Sequence, residues 1–175
     1  MIKNEELILR AIEPEDIDIL YQWENNMEIW QAGNTLVPFS KYQLKKYIES
    51  SSLDLYQTKQ LRLMIDLAEQ NRSTIGMIDL FDFDPYHNRA GVGIMIHQAY
   101  RGKGYASNGL KLFTDYCFNH LGIHQLYCNI AVTNQPSIEL FTKNGFQKIG
   151  IKKAWIKTMK GWEDEAMFQL INDKK

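Results

Sequence analysis

The chain has 175 residues and a formal net charge of −1, with 20 basic against 21 acidic side chains. That balance excludes the basic field of a nucleic-acid binder, and the length suits one domain, 1–175, with a real core. The two cysteines, Cys117 and Cys128, lie in apolar stretches without metal-ligand spacing. They read as reduced core thiols, which implies no metal and a cytoplasmic protein. Residues Met1 to Glu6 are polar and partly acidic, so no leader is expected, and no apolar run approaches the ~20 residues of a membrane helix.

Leu7 to Ala11 predicts a first strand. Pro14, with Glu13, Glu15 and Asp16 beside it, opens a helix whose apolar face is Ile17, Leu20, Tyr21 and Trp23. The polar-aromatic segment Glu24 to Trp30 follows. Ser40 is the N-cap of a second helix, Tyr42 to Ser50. Leu61 to Leu67 alternates as a strand, turns through Glu69 to Ser73, and returns over Thr74 to Phe83. Asp84 to Asn88 is a further turn, and Arg89 to Ile96 the next strand. A long helix carries Leu110, Phe113, Cys117 and Leu121 on one face and ends near Gly122. Gln125 to Val132 is a fifth strand. A helix starts at Asn134-Gln135-Pro136-Ser137 and ends at Asn144-Gly145. Two strands, Gln147 to Ile156 and Trp162 to Ile171, close the chain. The order β-α-α-β-β-β-α-β-α-β-β predicts an α+β (mixed α/β) fold.

The central stretch is Gly93 to Tyr100 followed by Arg101-Gly102-Lys103-Gly104-Tyr105-Ala106. It reads as a buried strand, a polar elbow, a glycine-rich loop and a helix start. Such a loop gathers unpaired backbone N–H groups at the positive end of a helix, which suits a phosphate. Gly102 and Gly104 let an anion approach the backbone, and Arg101 and Lys103 add positive charge. Neither the spacing of a nucleotide P-loop nor G-x-G-x-x-G is present. The loop fits R/Q-x-x-G-x-G/A at Arg101, Gly104 and Ala106. It resembles the pyrophosphate loop of the GNAT superfamily, the Gcn5-related N-acetyltransferases. The segment Asn134 to Phe146 resembles that family's N-x-x-S/A-…-(Y/F)-x-K-x-G-F segment. The likeness is nearest the branch of bacterial spermidine acetyltransferases and ribosomal-protein N-terminal acetyltransferases. Asn25-Asn26 and His87-Asn88-Arg89-Ala90 carry part of it.

The resemblance implies a GNAT-like fold, with a central mixed, largely antiparallel sheet whose splayed strands admit acetyl-coenzyme A. It sets Ile94, Met95 and Ile96 against pantetheine and thioester. It sets Arg101, Gly102, Lys103, Gly104, Tyr105, Ala106 and Ser107 around the pyrophosphate. Asn134 and Ser137 fall near the pantetheine, and Phe141 and Lys143 farther along the same helix. The implied activity is acetyl transfer to a primary amine, a small amine or polyamine or a protein N-terminus, by direct attack in a ternary complex. Two positions depart from spermidine acetyltransferases. Phe141 stands where they carry a tyrosine taken as general acid, and Gly91 where they present a glutamate to the polyamine.

For the proton steps the candidates are Asp79, His97 and Ser137. Asp79 sits inside a strand, against its propensity, with solvent exposure of that face as the plain alternative. His97 follows the cofactor strand, and Ser137 and Tyr105 carry hydroxyls that can donate. Asp82 and Asp84 read as turn formers. Acceptor walls are expected from Glu24, Asn26, Glu28 and Trp30, from the Asp79 to His87 region, and from Asn129. A homo-oligomer fits this reading. A non-catalytic acyl-coenzyme A binding module and a plain nucleotide-phosphate binder are the other classes, and the Asn134 to Phe146 segment argues against the last.

Overall fold

Alternation in Leu61–Leu67 sends Leu63, Ile65 and Leu67 into one apolar cluster and Met64 into another. A strand buried on both faces must lie inside a sheet with helices above and below. The computed structural model describes residues 2–27, 29–30, 35–51, 54–69 and 73–173, and among them eight strands form one sheet. The strands are β1 (Ile2–Lys3), β2 (Leu7–Ala11), β3 (Leu61–Leu67), β4 (Thr74–Asp84), β5 (Arg89–Ile96), β6 (Gln125–Ala131), β7 (Gln147–Thr158) and β8 (Gly161–Ile171). Their order in space is β1-β2-β3-β4-β5-β6-β8-β7. Neighbours are antiparallel except β5 and β6, which run parallel, so the sheet is mixed and largely antiparallel.

The helices are α1 (Ile17–Glu24), α2 (Lys41–Ser50), α3 (Leu55–Thr58), α4 (Tyr105–Asn119) and α5 (Gln135–Lys143). Helices α4 and α5 cover one face. Leu110, Phe113 and Cys117 lie there at 0% exposure, as their three-and-four spacing requires. Helices α1 and α2 cover part of the other face, where Leu20, Trp23, Leu44 and Ile48 meet Met64 and Met77. Trp23 therefore anchors its helix on the sheet. Ser40 caps α2 in a reciprocal box with Gln43. Arg10 ties the turn before α1 to the sheet, because its guanidinium donates to both Asp16 and Asp66.

Two elements exceed the sequence-based expectation. Strand β1 has two residues and no alternation to read, and it exists only through its pairing with β2. Helix α3 is a single turn, capped by Asp54 and closed by Lys59 at φ 57°. The expected turn over residues 70–72 lies outside the described residues.

Candidate active site

Strands β5 and β6 start as a regular parallel pair. Arg89 pairs with Gln125, Ala90 with Leu126 and Gly91 with Tyr127, and there the ladder stops. Strand β5 runs on to Ile96 and β6 to Ala131 without pairing to each other. On its other edge β5 stays paired to β4 as far as Ile96 opposite Gly76. A wedge therefore opens between two rigid strands, bordered by backbone groups on both sides. Ile94, Met95 and Ile96 line its β5 edge.

The wedge leads to the glycine-rich loop. Gly102 has φ 76° and Gly104 φ 85°, backbone that side chains disfavour. A Cβ built on either would meet nothing within 4 Å, so the space above the loop is open. Gly104 is the N-cap of α4, and no side chain caps this 15-residue helix. Its first N–H groups are thus offered outward with the positive end of the helix dipole. Arg101 turns back, its Nε donating to the Ile96 carbonyl at 2.9 Å, which braces the elbow. Lys103 Nζ lies 5.6 Å from the Tyr100 ring centroid. Ser107 pairs with Asn144 at the end of α5, which ties the two helices together. These features fit a pyrophosphate: an open cradle of N–H groups with basic side chains at its rim.

Helix α5 flanks the wedge. Asn134 caps it by accepting from the Ser137 N–H at 3.3 Å, and Ser137 is half-buried. Phe141 is 4% exposed and meets Phe146 edge-on at 5.0 Å, so its ring is part of the core. Lys143 sits in the last turn, where its charge opposes the negative helix end.

The face under α1 and α2 carries the charged groups. Asp79 lies opposite Gly93 of β5 and Arg62 of β3. Both Asp79 oxygens accept from the Arg62 guanidinium, at 2.5 and 3.1 Å, and Arg62 also donates to Glu24 at the end of α1. Glu24 and Arg62 are largely buried, and the Tyr47 ring lies 5.4 Å from the Arg62 carbon. Burial opposes the Arg62 charge, but Asp79, Tyr47 and Glu24 hold its pKa above the usual guanidinium value. Burial also pushes the Tyr47 phenol up, with Arg62 pulling the other way. The cluster holds two carboxylates on one guanidinium, a net negative site beside the wedge. Asp79 is thus neither an exposed strand residue nor a free carboxylate.

Trp30 packs back on this corner and donates from its indole to the Glu24 carbonyl. Asn26 accepts from the Ile29 and Trp30 N–H groups through its own carbonyl. Glu28 lies outside the described residues. Asn129 is exposed on β6 and lines a cavity of about 580 Å³ with Asp82, Asp84, Tyr127, Met167 and Gln169. His97 stacks on Trp23 at 6.2 Å and accepts from the Ala99 N–H through Nδ1. It lies at the loop end of β5, roughly 13 Å along the strand from Gly93. Sequence reasoning missed Arg62, Phe81, Tyr47 and Tyr127. Arg62 and Asp79 are aligned only by strand pairing, and no local spacing signals that.

A parallel pair that parts above an uncapped glycine loop defines an acyltransferase of the GNAT type. The chain belongs to that family: the acetyltransferase (GNAT) domain matches residues 6–147. It is an acetyl-coenzyme A-dependent N-acetyltransferase. Among its relatives is the uncharacterized N-acetyltransferase p20 of Bacillus licheniformis, 28% identical over 96% of this chain and 94% of that one. The spermidine N(1)-acetyltransferase of Vibrio cholerae is 27% identical over 84% of this chain and 82% of its own length. A crystal structure of the Vibrio cholerae spermidine N-acetyltransferase with CoA and spermine shares the fold, with TM-score 0.88 at 23% identity over 98% of both chains. A dodecameric structure of that enzyme superposes with TM-score 0.81 at 22% identity, covering 98% of this chain and 96% of that one.

Proposed function

We propose that this chain, acting as one domain, moves the acetyl group of acetyl-coenzyme A to a primary amine by direct attack within a ternary complex. The observation that carries the reading is the parting of β5 and β6 after Gly91 and Tyr127, with the uncapped start of α4 at its far end. The loop from Arg101 to Ser107 binds the pyrophosphate through backbone N–H groups. Asn134, Ser137 and Lys143 flank the same arm, and Phe141 supports the wall from within the core. When bound, acetyl-coenzyme A supplies a thioester whose C–S bond breaks as the new C–N bond forms. The unpaired N–H groups along β5 stabilise the charge that develops on the acetyl oxygen.

The acceptor approaches from the α1 and α2 face. Glu24, Asn26, Trp30 and Asn129 border its path, and the negative Glu24–Arg62–Asp79 cluster attracts an ammonium group. The amine must be neutral to attack. Asp79 accepts its proton through water, since both carboxylate oxygens already accept from Arg62. His97, the other base candidate, stacks on Trp23 and accepts from the Ala99 N–H, so it reaches the amine only through water. Phe141 has no proton to give, so the sulfur leaves as thiolate, consistent with a free-thiol pKa near ~8.5, and the second proton that nitrogen loses on becoming an amide passes to water. A small metabolite or a protein N-terminus fits this path.

The relatives named for spermidine support the amine class. Exposed Ile149, Ile151, Trp155 and Trp162 on the β7–β8 hairpin support a homo-oligomer, which light scattering checks. Two buried free thiols, Cys117 and Cys128, fit a reducing cytoplasm. The test is thiol release from acetyl-coenzyme A over a panel of amines, read beside the melting temperature. Amine-dependent release is expected. A melting shift without release from any amine would leave only an acyl-coenzyme A binding module.

A further inference from the structure

The row of residues at the root of the wedge crosses four strands. Phe81 of β4 pairs with Gly91 of β5, Gly91 with Tyr127 of β6, and Tyr127 with Gln169 of β8. Paired residues point to the same face of a sheet. Gly91 brings no side chain to this row, and Phe81 fills the space. A Cβ built on Gly91 would lie 2.2 Å from Phe81 Cε2 and 2.5 Å from Cζ, so the ring rests on the bare backbone. It extends toward Gly93, whose Cβ would be 3.7 Å from Phe81 Cε1. Tyr127 meets the Phe81 ring edge-to-face, with centroids 6.1 Å apart and planes at 83°.

Neither ring belongs to the two apolar cores, and both are only half-buried. They are large apolar groups at the point where the strands part. Tyr127 also lines the cavity of about 580 Å³, beside the carboxylates Asp82 and Asp84 and the cations Arg89 and Lys152, and Lys152 is itself paired with Glu165. Asp84 is already paired to Arg89 at 3.2 Å. The cavity wall thus carries one carboxylate, Asp82, beyond these ion pairs, with the Tyr127 hydroxyl 3.5 Å from it, and the Tyr127 ring leads from the cavity to Phe81. A single exposed carboxylate is a weak anchor for a polycation in water, whereas an aromatic pair rewards a flat apolar body that buries its surface and stacks.

We propose that Phe81 and Tyr127 form a platform for the body of the acceptor, and that the acceptor is a primary monoamine carried on an aromatic group. The inference rests on the acetyl transfer to an amine proposed above and names its substrate class. The ammonium end reaches past Gly93 toward the Glu24–Arg62–Asp79 cluster while the ring lies on Phe81. Gly91 is a specificity residue by absence, because any side chain there displaces the platform.

Two readouts test this. The first is binding: 2-phenylethylamine is added to the coenzyme A complex with ¹³C-labelled Phe and Tyr rings. Shifts at the Phe81 and Tyr127 rings are expected, and none with 1,4-diaminobutane at equal concentration. The second is kcat/KM for 2-phenylethylamine, ethylamine and spermidine in wild type and Phe81→Leu. Phe81→Leu should lower the value for 2-phenylethylamine about tenfold, the size of an aromatic contact, and leave ethylamine within about threefold. Phe81→Tyr should retain the preference. If Phe81→Leu fails to fold, judged by loss of the melting shift with coenzyme A, Gly91→Ala displaces the ring instead and should show the same selective loss. Undisturbed Phe81 and Tyr127 signals, equal loss for all amines, or spermidine as the preferred substrate would overturn the platform. Ring shifts with no acetylation of any amine would keep the platform and remove the amine-transfer reading.

Discussion

The two ends of the wedge are built from different materials. The cofactor end is backbone: two glycines at positive φ, an uncapped helix start, and strand edges without partners. The end proposed for the acceptor is side chains from distant parts of the sequence: Glu24 from α1, Arg62 from β3, Asp79 from β4 and Tyr127 from β6. A backbone cradle can serve many sequences and binds the common co-substrate. A side-chain lining can be specific to one acceptor, and in the proposed function acceptor choice resides there. The contrast predicts opposite responses to substitution at the two ends.

The largest effect belongs to the acceptor end. Arg62→Met leaves Glu24 and Asp79 facing each other without their shared cation, and should cost about 3–5 kcal/mol, read from urea unfolding. Amine turnover should fall with it, while the folded fraction still gains melting temperature from acetyl-coenzyme A. A change below ~1 kcal/mol would mean that solvent already screens the cluster.

Next comes the backbone cradle. Acetyl-coenzyme A at a hundredfold its Kd should stabilise the wild type by about 2.7 kcal/mol. Gly104→Asp should abolish that gain, because it puts a carboxylate into the anion cradle at φ 85°. An undiminished melting shift in a folded Gly104→Asp protein would remove the loop from the binding site.

Phe141→Leu should cost no more than ~1.5 kcal/mol of stability, as a core swap of similar volume, and retain turnover at saturating cofactor. Complete loss of chemistry in that folded variant would return Phe141 to the reaction. The smallest effect is expected at Lys103. If backbone N–H groups carry the phosphate, Lys103→Ala should weaken acetyl-coenzyme A by about 1 kcal/mol or less, roughly fivefold in Kd by calorimetry. A hundredfold loss would make the site one of side chains after all.

Much of the fold was legible before the structure. Leu61 to Leu67, Thr74 to Phe83 and Arg89 to Ile96 alternate or run apolar and became β3 to β5. Ser40 and Asn134 carry side-chain oxygens that cap a helix, and both do. Strand β1 and helix α3 were not legible, since two residues and a single turn hold too little pattern to exceed noise. The glycine-rich loop was visible because Gly102 and Gly104 are separated by a single residue and their conformational demand is local. Asp79 shows the reverse case. Its presence in a strand marked it as unusual, yet its partner Arg62 lies 17 residues away and Glu24 farther still.

The amino-acid sequence by itself determined the succession of the longer strands and helices, the family and the position of the glycine-rich loop. Periodicity, caps and glycine backbone are properties of neighbouring residues. Only the tertiary structure decided where β5 and β6 part, that Arg62 joins Glu24 to Asp79, and that Phe81 occupies the space Gly91 leaves empty. Those features depend on strand register, and register is set by the burial of the whole sheet against its helices, beyond any local stretch.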